Sequence, residues 1–178
     1  MTRALVVFYS RTGVTRLVAH QLARRLGADL LHIRDVRPRD GMLGYMRSAL
    51  EAMHGTLPEI AHSVIDPSDY ELVVLGTPVW ASHVCSPVRR FLHDHAGLLR
   101  RRVAFFCTMG ESGAEGAFRD MHDLIGRDAE ADCALLDRDI LQEKHLAALD
   151  AFVAKLTQAR ISTAPRRKNA VRASHAHM

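Results

Sequence analysis

ALVVFYSRTGVT, residues 4–15, joins an apolar run to a group of hydroxyl side chains around one glycine. Consecutive apolar residues without alternation are typical of a parallel strand that is covered on both faces. The apolar residues that follow recur at helical spacing and predict a helix: Leu17, Val18, Leu22 and Leu26. Because the amino end of a helix has free amides and a positive dipole, this stretch predicts a strand, an anion-binding turn and a helix.

The turn offers neutral donors rather than a cation. No lysine follows Gly13 as it does in a nucleoside triphosphate loop, and the G-x-G-x-x-G spacing of a dinucleotide site is missing. We therefore expect a site for one phosphate monoester. The alternative is a turn whose hydroxyls only cap the helix. The expected phosphate ligands are Ser10, Thr12, Gly13, Val14 and Thr15.

The rest of the chain alternates apolar runs with amphipathic segments. Strands are predicted at residues 29–34, 72–75, 101–107 and 132–136, and helices at residues 42–54, 87–96, 113–125 and 142–159. Met46 and Met53 of the second helix are expected to pack against the core. The alternation predicts an α/β fold with a doubly wound parallel sheet of five strands and helices on both faces.

Length and charge favour one domain with a separate tail. The 178 residues are 48% hydrophobic, which is ordinary for a single soluble domain. Residues 1–159 have a net charge of −1, whereas residues 160–178 contain five basic side chains and no acidic one. We expect residues 161–178 to form a disordered basic tail. Because the basic charge lies in the tail, no specific nucleic-acid partner is expected.

Cysteines and the amino-terminal residues indicate a reducing compartment. Cys85, Cys107 and Cys133 lie far apart in the sequence, which argues against a disulfide framework and a thiolate metal site. Cys107 and Cys133 are expected to be buried in strands, and Cys85 to be exposed in a loop. No leader segment precedes the first strand and no apolar run is long enough to span a membrane, so we expect a cytoplasmic protein without a bound metal.

Three segments should converge, because the carboxyl ends of parallel strands meet at one edge of a sheet. They are residues 10–15, 77–83 and 108–113. The third is rich in small residues, whose backbone amides can approach the polar edge of a ring. Four of its residues are expected to contact that edge: Thr108, Met109, Gly110 and Gly113.

The second segment contains Trp80, the only tryptophan of the chain, at a loop position that a core would not use. Together with Pro78 and Val79 it predicts a stiff apolar wall for stacking on a planar ring. The alternative is an indole folded over the helix near Phe91. A phosphate turn, an aromatic wall and a donor-rich loop together predict a site for a phosphorylated planar heterocycle.

These motifs resemble the flavodoxin-like family. Residues 10–15 look like its FMN phosphate loop, and residues 76–81 and 105–113 are similar to the two flavin loops of its small bacterial members. The stretch 41–47 also resembles a helical segment of those proteins. The resemblance implies a flavodoxin-like FMN-binding domain at residues 1–160, the strand order 2-1-3-4-5 and a flavin ring stacked by Trp80.

Three features depart from the family pattern. No tyrosine occurs between Cys107 and Gly116 to cover the outer flavin face, and Ala81 follows the tryptophan where a glycine is usual. The domain is also nearly neutral, whereas flavodoxins that carry electrons are strongly acidic. Together these departures argue against a stabilised semiquinone and against an acidic face for docking a partner protein.

The resemblance leaves three functions open. The first is an FMN-binding oxidoreductase or electron-transfer protein with a redox partner protein. The second is an NAD(P)H-dependent quinone-type reductase with a small quinone-like acceptor, for which His83 is the candidate proton donor. The third is an interaction module without cofactor, whose tail binds polyanions. Three residues are expected to cover the flavin edge or a homodimer interface: Met42, Tyr45 and Met46.

Overall fold

A computed structural model describes residues 3–37, 39 and 41–163 of the chain, with side chains through residue 158. The strands are β1 (Ala4–Phe8), β2 (Asp29–His32), β3 (Leu72–Trp80), β4 (His83–Val84), β5 (Arg102–Met109) and β6 (Asp132–Leu136). The helices are α1 (Val14–Leu26), α2 (Gly41–Met53), α3 (Ser86–His95), α4 (Ala114–Ile125), α5 (Asp137–Leu141) and α6 (Leu146–Thr163).

Five parallel strands form one sheet in the order β2-β1-β3-β5-β6, and the short β4 pairs antiparallel with β3. Within the sheet, Val7 of β1 lies between Leu31 of β2 and Leu75 of β3. The five parallel strands thus have the predicted order 2-1-3-4-5, and the predicted α/β fold is confirmed. Their carboxyl ends bring the turns before α1 and α4 to one edge.

The apolar runs are buried because the sheet has a helical layer on each face. Leu5 and Val7 of β1 point into one core, which α3 and α4 cover with residues such as Phe91 and Met121. Alternate residues of β1 point into the other core, which is covered by α1 and α6. Burial on both faces explains why these strands read as continuous apolar runs.

Several predicted boundaries differ from the structure. The third predicted strand, 72–75, continues to Trp80, so most of the predicted second loop is strand. The predicted helix 142–159 corresponds to α6, which begins later at Leu146, and the short helix α5 before it was not predicted. Because α6 runs to Thr163, it passes the predicted domain boundary by three residues. The remainder of the predicted tail, residues 164–178, lies outside the described part of the chain.

Helix α2 packs through its small residues rather than its large ones. Gly44, Ser48 and Ala52 are buried, whereas Met46 is 54% and Met53 is 59% exposed, so the predicted inward packing of the methionines is wrong. A side chain at Gly44 would overlap the backbone of Arg39. The close approach therefore selects small residues on the buried face and leaves an exposed apolar face, formed by Met42, Leu43, Tyr45, Met46, Leu50 and Met53.

All three cysteines are buried thiols. The prediction that Cys85 is exposed is wrong, because the residue directly precedes α3 and its backbone amide donates to the Thr77 hydroxyl at 3.1 Å. Burial raises the pKa of Cys85 and of Cys107 to about 12 and that of Cys133 to about 11. In the described part of the chain, no helix has both the length and the hydropathy to cross a membrane.

Candidate functional site

The predicted phosphate turn lies between β1 and α1. Gly13 directly precedes α1 with φ 99°, a left-handed conformation that glycine adopts readily. Among the described residues, no side chain caps this end of the helix; instead the Gly13 amide donates to Ser10 Oγ at 3.1 Å. The structure therefore does not support the alternative of a hydroxyl-capped helix. The amides of the first helical turn keep their affinity for an anion.

The other residues of the turn differ in exposure. Thr12 is exposed and Val14 is half-buried, whereas Thr15 is buried at 2% exposure. The Thr15 hydroxyl lies 2.9 Å from that of Thr108, which is also buried. This hydrogen bond joins the phosphate turn to the carboxyl end of β5. Two predicted ligands are thus brought together, each with a hydroxyl already in use.

Trp80 is not on an open loop, which corrects the prediction. It is the last residue of β3 and is 9% exposed, while Pro78 and Val79 before it are half-buried. The indole meets the Tyr9 ring edge to face at 5.6 Å, and the Arg39 guanidinium lies 5.3 Å from the indole centroid. The predicted wall is therefore a largely covered surface next to the phosphate turn.

Beneath Trp80, Arg39 belongs to a buried ion-pair network. Its guanidinium donates to Asp35 and lies 2.7 Å from a carboxylate oxygen of Glu51, with 1% of its side chain exposed. Glu51 also accepts hydrogen bonds from Arg47 at 2.7 Å and from Ser86 at 2.8 Å. The network fixes α2 against the sheet at this edge.

Burial and pairing act in opposite directions on the network's charges. Burial alone would raise the pKa of Glu51, but hydrogen bonds from Arg47, Arg39 and Ser86 outweigh it and bring this pKa below its ordinary value. Burial alone would lower the pKa of Arg39, yet its two carboxylate partners raise it overall. Burial, and then the negative charge of Asp35, raise the pKa of Tyr9. Both ion-pair partners are therefore stabilised in their charged forms.

A two-residue turn joins β3 to β4. Ala81 has φ 49° and Ser82 has φ 63°, so two residues with side chains adopt the left-handed conformation. The amino end of α4 packs directly on this turn: a methyl group at Gly116 would overlap the Ser82 carbonyl, and one at Gly113 would lie 2.8 Å from Ser82 Cα. Because glycines occupy these two positions, the hairpin can pack closely against α4.

The third predicted segment is partly strand. Thr108 and Met109 end β5, Gly110 is exposed, and Gly113 precedes α4 with φ 102°. As at α1, no described side chain caps α4. An open cleft of about 570 Å³ lies here, which we call the His83 cleft; it is lined by Ser82, His83, Met109, Ser112, Gly113, Ala114, Glu115, Gly116 and Arg119.

His83 has partners that sequence reasoning missed. Its Nδ1 lies 3.0 Å from Oδ2 of Asp120 in α4, and the same oxygen accepts from Arg89 of α3 at 2.6 Å. The backbone amide of Val84 donates to it at 3.3 Å. No local pattern could have indicated these contacts, because they join three elements. Asp120 and Arg89 each occupy an unremarkable helical position.

A second cavity, of about 260 Å³, lies away from the three predicted segments. It lies between the end of β2 and residues 60–65 and shares no residue with the predicted site. Among the described residues, no group of His, Cys, Asp and Glu side chains could hold a metal ion.

The site fits the phosphate end of a phosphorylated ring compound better than it fits the ring. The uncapped amino end of α1 fits a phosphate group, and Ser10 adds a hydroxyl nearby. Trp80 offers a ring little open surface, since Tyr9 and Arg39 flank it. The open space at this edge is the His83 cleft, beside Met109 and Gly113.

Comparison with known proteins gives one family and one fold. A family model described as flavodoxin matches residues 3–152. A flavoprotein in complex with FMN from Lactobacillus acidophilus is 22% identical, with a TM-score of 0.66 over 80% of this chain and 98% of that one. A flavodoxin-type, WrbA-like protein from Agrobacterium tumefaciens is 14% identical, with a TM-score of 0.53 over 91% of this chain and 96% of that one.

A flavodoxin from Fusobacterium nucleatum, bound to flavin mononucleotide, is 10% identical, with a TM-score of 0.58 over 89% of this chain and 99% of that one. No curated protein has significant sequence similarity to the chain. At these identities the solved structures establish the shared fold.

Proposed function

Since the chain belongs to the flavodoxin family, we propose that it is an FMN-binding oxidoreductase. The observation that carries this proposal is the uncapped amino end of α1, where Gly13 has φ 99°. A ribityl phosphate is the chemical group that suits free amides and neutral hydroxyls at the edge of a doubly wound sheet. The FMN complexes of similarly folded proteins support the choice of coenzyme.

The phosphate is assigned to the turn between β1 and α1. Gly13 allows close backbone approach, and the amides of Val14 and Thr15 lie in the first turn of α1. Ser10 and Thr12 provide hydroxyl groups. The hydroxyl of Thr15 acts indirectly, because its bond to Thr108 fixes the turn relative to β5.

The ring is assigned to the ends of β3 and β5. The apolar side is formed by Pro78, Val79 and Trp80. Because the Arg39 guanidinium lies over one face of the indole, Trp80 would contact the flavin through the edge of its ring; contact through that face would require Arg39 to move. The polar side is formed by Thr108, Met109, Gly110 and Gly113. The bound coenzyme would supply hydride and electron transfer, while the chain positions it and excludes water.

A second, narrower candidate is an NAD(P)H-dependent reductase of quinones. The observation that favours it is the His83 cleft, an open space of about 570 Å³ beside the proposed ring site. An electron carrier needs instead a surface for a redox partner protein, and the net charge of −1 over residues 1–159 argues against a strongly acidic docking face. For either activity we propose a cytoplasmic location.

The proposal is tested by titrating the apoprotein with FMN and following the quenching of flavin fluorescence. We expect binding at micromolar concentration or below, and Gly13→Ala should weaken it at least tenfold. Gly27→Ala is the matched control, since Gly27 ends the same helix with φ 60° and no neighbouring atom within 4 Å. Wild-type protein that binds no FMN would overturn the function; equal affinities for both variants would overturn the phosphate assignment.

The narrower activity has its own test. Purified holoprotein is mixed with NADH or NADPH and menadione, without any added reductase. Steady oxidation of the nicotinamide supports the reductase, whereas oxidation only after a separate reductase is added supports the carrier.

A further inference from the structure

His83 occupies a fixed position on the hairpin. It is the first residue of β4 and pairs with Trp80 across the turn, which α4 packs against through Gly116. Its side chain is 34% exposed and lines the His83 cleft. The imidazole is thus neither a freely rotating surface group nor a core residue.

Asp120 determines which ring nitrogen faces outward. Because a carboxylate accepts hydrogen bonds, the nitrogen 3.0 Å from it, Nδ1, is the donor. Nε2 is then the nitrogen left for a ligand, and it carries a proton to give whenever the ring is charged.

Asp120 is itself held by two further donors. Arg89 donates to the same carboxylate oxygen at 2.6 Å, and the Val84 amide donates to it at 3.3 Å. Asp120 and Arg89 are 16% and 14% exposed, so the pair is largely shielded from solvent. The carboxylate therefore has little freedom to turn away from the imidazole.

The His83 cleft joins this imidazole to the proposed coenzyme site. Met109 and Gly113 line both, so a small planar molecule in the cleft lies next to the proposed flavin site and His83 together. The charged groups around His83 are Asp120, which is bonded to it, Arg89, which is bonded to Asp120, and Glu115 and Arg119, which line the same cleft.

We propose that His83, oriented by Asp120, donates a proton to a quinone-class acceptor bound in this cleft; the inference rests on the proposed function in its quinone-reductase form. A quinone that becomes hydroquinone takes two electrons and two protons. Bound reduced FMN would supply one proton and both electrons as hydride and would itself become oxidised. The second proton passes from Nε2 of His83 to the quinone oxygen that gains charge, and solvent then reprotonates the imidazole.

The chain contains a matched control for this arrangement. On α3, His93 lies 3.1 Å from Asp94, which also accepts from Arg90 at 2.7 Å. These three residues have the same side-chain types as His83, Asp120 and Arg89. However, His93 is 58% exposed and does not line the His83 cleft. Asp94→Asn therefore disrupts an equivalent trio without touching the proposed site.

The experiment measures flavin reoxidation by stopped flow. Holoprotein reduced by dithionite is mixed with menadione or with ferricyanide, which accepts single electrons and takes up no proton. We expect His83→Gln to slow the menadione reaction about 100-fold and Asp120→Asn about tenfold, with unchanged ferricyanide rates. The wild-type menadione rate should fall with rising pH, and the His83→Gln rate should not.

Each other outcome has a definite meaning. Equal slowing with both acceptors would assign His83 a structural role, and slowing with neither would leave it without a role; both overturn the inference. Asp94→Asn should change neither rate. Loss of FMN binding in the parallel titration would instead overturn the proposed function, which separates the two failures.

A second readout needs no coenzyme. Long-range proton–nitrogen NMR of the apoprotein identifies the neutral tautomer of His83. We expect hydrogen on Nδ1 in the wild type and predominantly on Nε2 in Asp120→Asn. Hydrogen on Nε2 in the wild type would refute the role of Asp120.

Discussion

The hydroxyl groups of Thr15 and Thr108 lie 2.9 Å apart, although 93 positions separate them in the chain. One belongs to the first turn of α1 and the other to the end of β5, on either side of the proposed phosphate and ring sites. Both are buried, so each hydroxyl depends on the other for a partner. This contact links the two halves of the site directly.

Replacing Thr108 by Val keeps the shape of the side chain and leaves the Thr15 hydroxyl buried without this partner. We expect the free energy of unfolding of the apoprotein to fall by about 1–3 kcal/mol. Urea denaturation measures it. Thr15→Val combined with Thr108→Val should be less destabilising than the sum of both, and the exposed Thr157→Val should change stability by less than about 0.5 kcal/mol. Additive losses would contradict the pairing.

Gly116→Ala places a methyl group against the Ser82 carbonyl. We expect a loss of about 1–3 kcal/mol in unfolding free energy, because the turn and the amino end of α4 must separate. Gly97→Ala is the control, since nothing lies within 4 Å of a methyl group there. Thermal and urea unfolding of both variants measure the difference; equal stabilities would show that the packing is looser than described.

Ala81→Gly should stabilise the protein by about 0.5–1 kcal/mol. A left-handed alanine, here at φ 49°, is strained by more than glycine loses in unfolded-state entropy. The same exchange at the exposed helical Ala147 should instead destabilise by about 1 kcal/mol. Urea midpoints that move in the same direction for both variants would contradict the turn geometry.

Glu51→Gln should lower stability at neutral pH by about 3 kcal/mol, because Arg39 is left buried with one carboxylate partner fewer. The folded pKa of Glu51 lies below its ordinary value of 4.5. Its contribution is therefore complete above that value and is lost as pH falls through the folded pKa. The difference in unfolding free energy between the wild type and Glu51→Gln should therefore become smaller in acid. Asp150→Asn, in an exposed ion pair with Arg25, should change stability by less than about 1 kcal/mol.

Sequence patterns predicted the sheet because its signals are local. Val6 and Val74 lie in continuous apolar runs, and burial on both faces of a parallel strand is what produces such runs. The turn at Gly13 was predictable for the same reason, since strand, glycine and helix follow one another directly.

Features determined by contacts between distant segments were not predictable. Trp80 looked like a loop residue because Gly76 and Pro78 suggest a break, yet Gly76 continues β3 where the Phe106 ring leaves no room for a side chain. The methionines of α2 followed a helical period but lie on its exposed face, since Gly44 meets the Arg39 backbone. Asp120 gave no signal, because its importance comes from its contact with His83.

The three buried thiols allow opening of the fold to be followed by the rate of thiol labelling. A thiol reagent must wait for the fold to open before it reaches Cys85 or Cys107, whose protonated forms burial also favours. The rate of thiol labelling under native conditions thus reports opening of the fold around β5, which contains Cys107, and around the start of α3, which Cys85 precedes. Coenzymes, substitutions and solution conditions can all be ranked by how far they slow this labelling, without any denaturant.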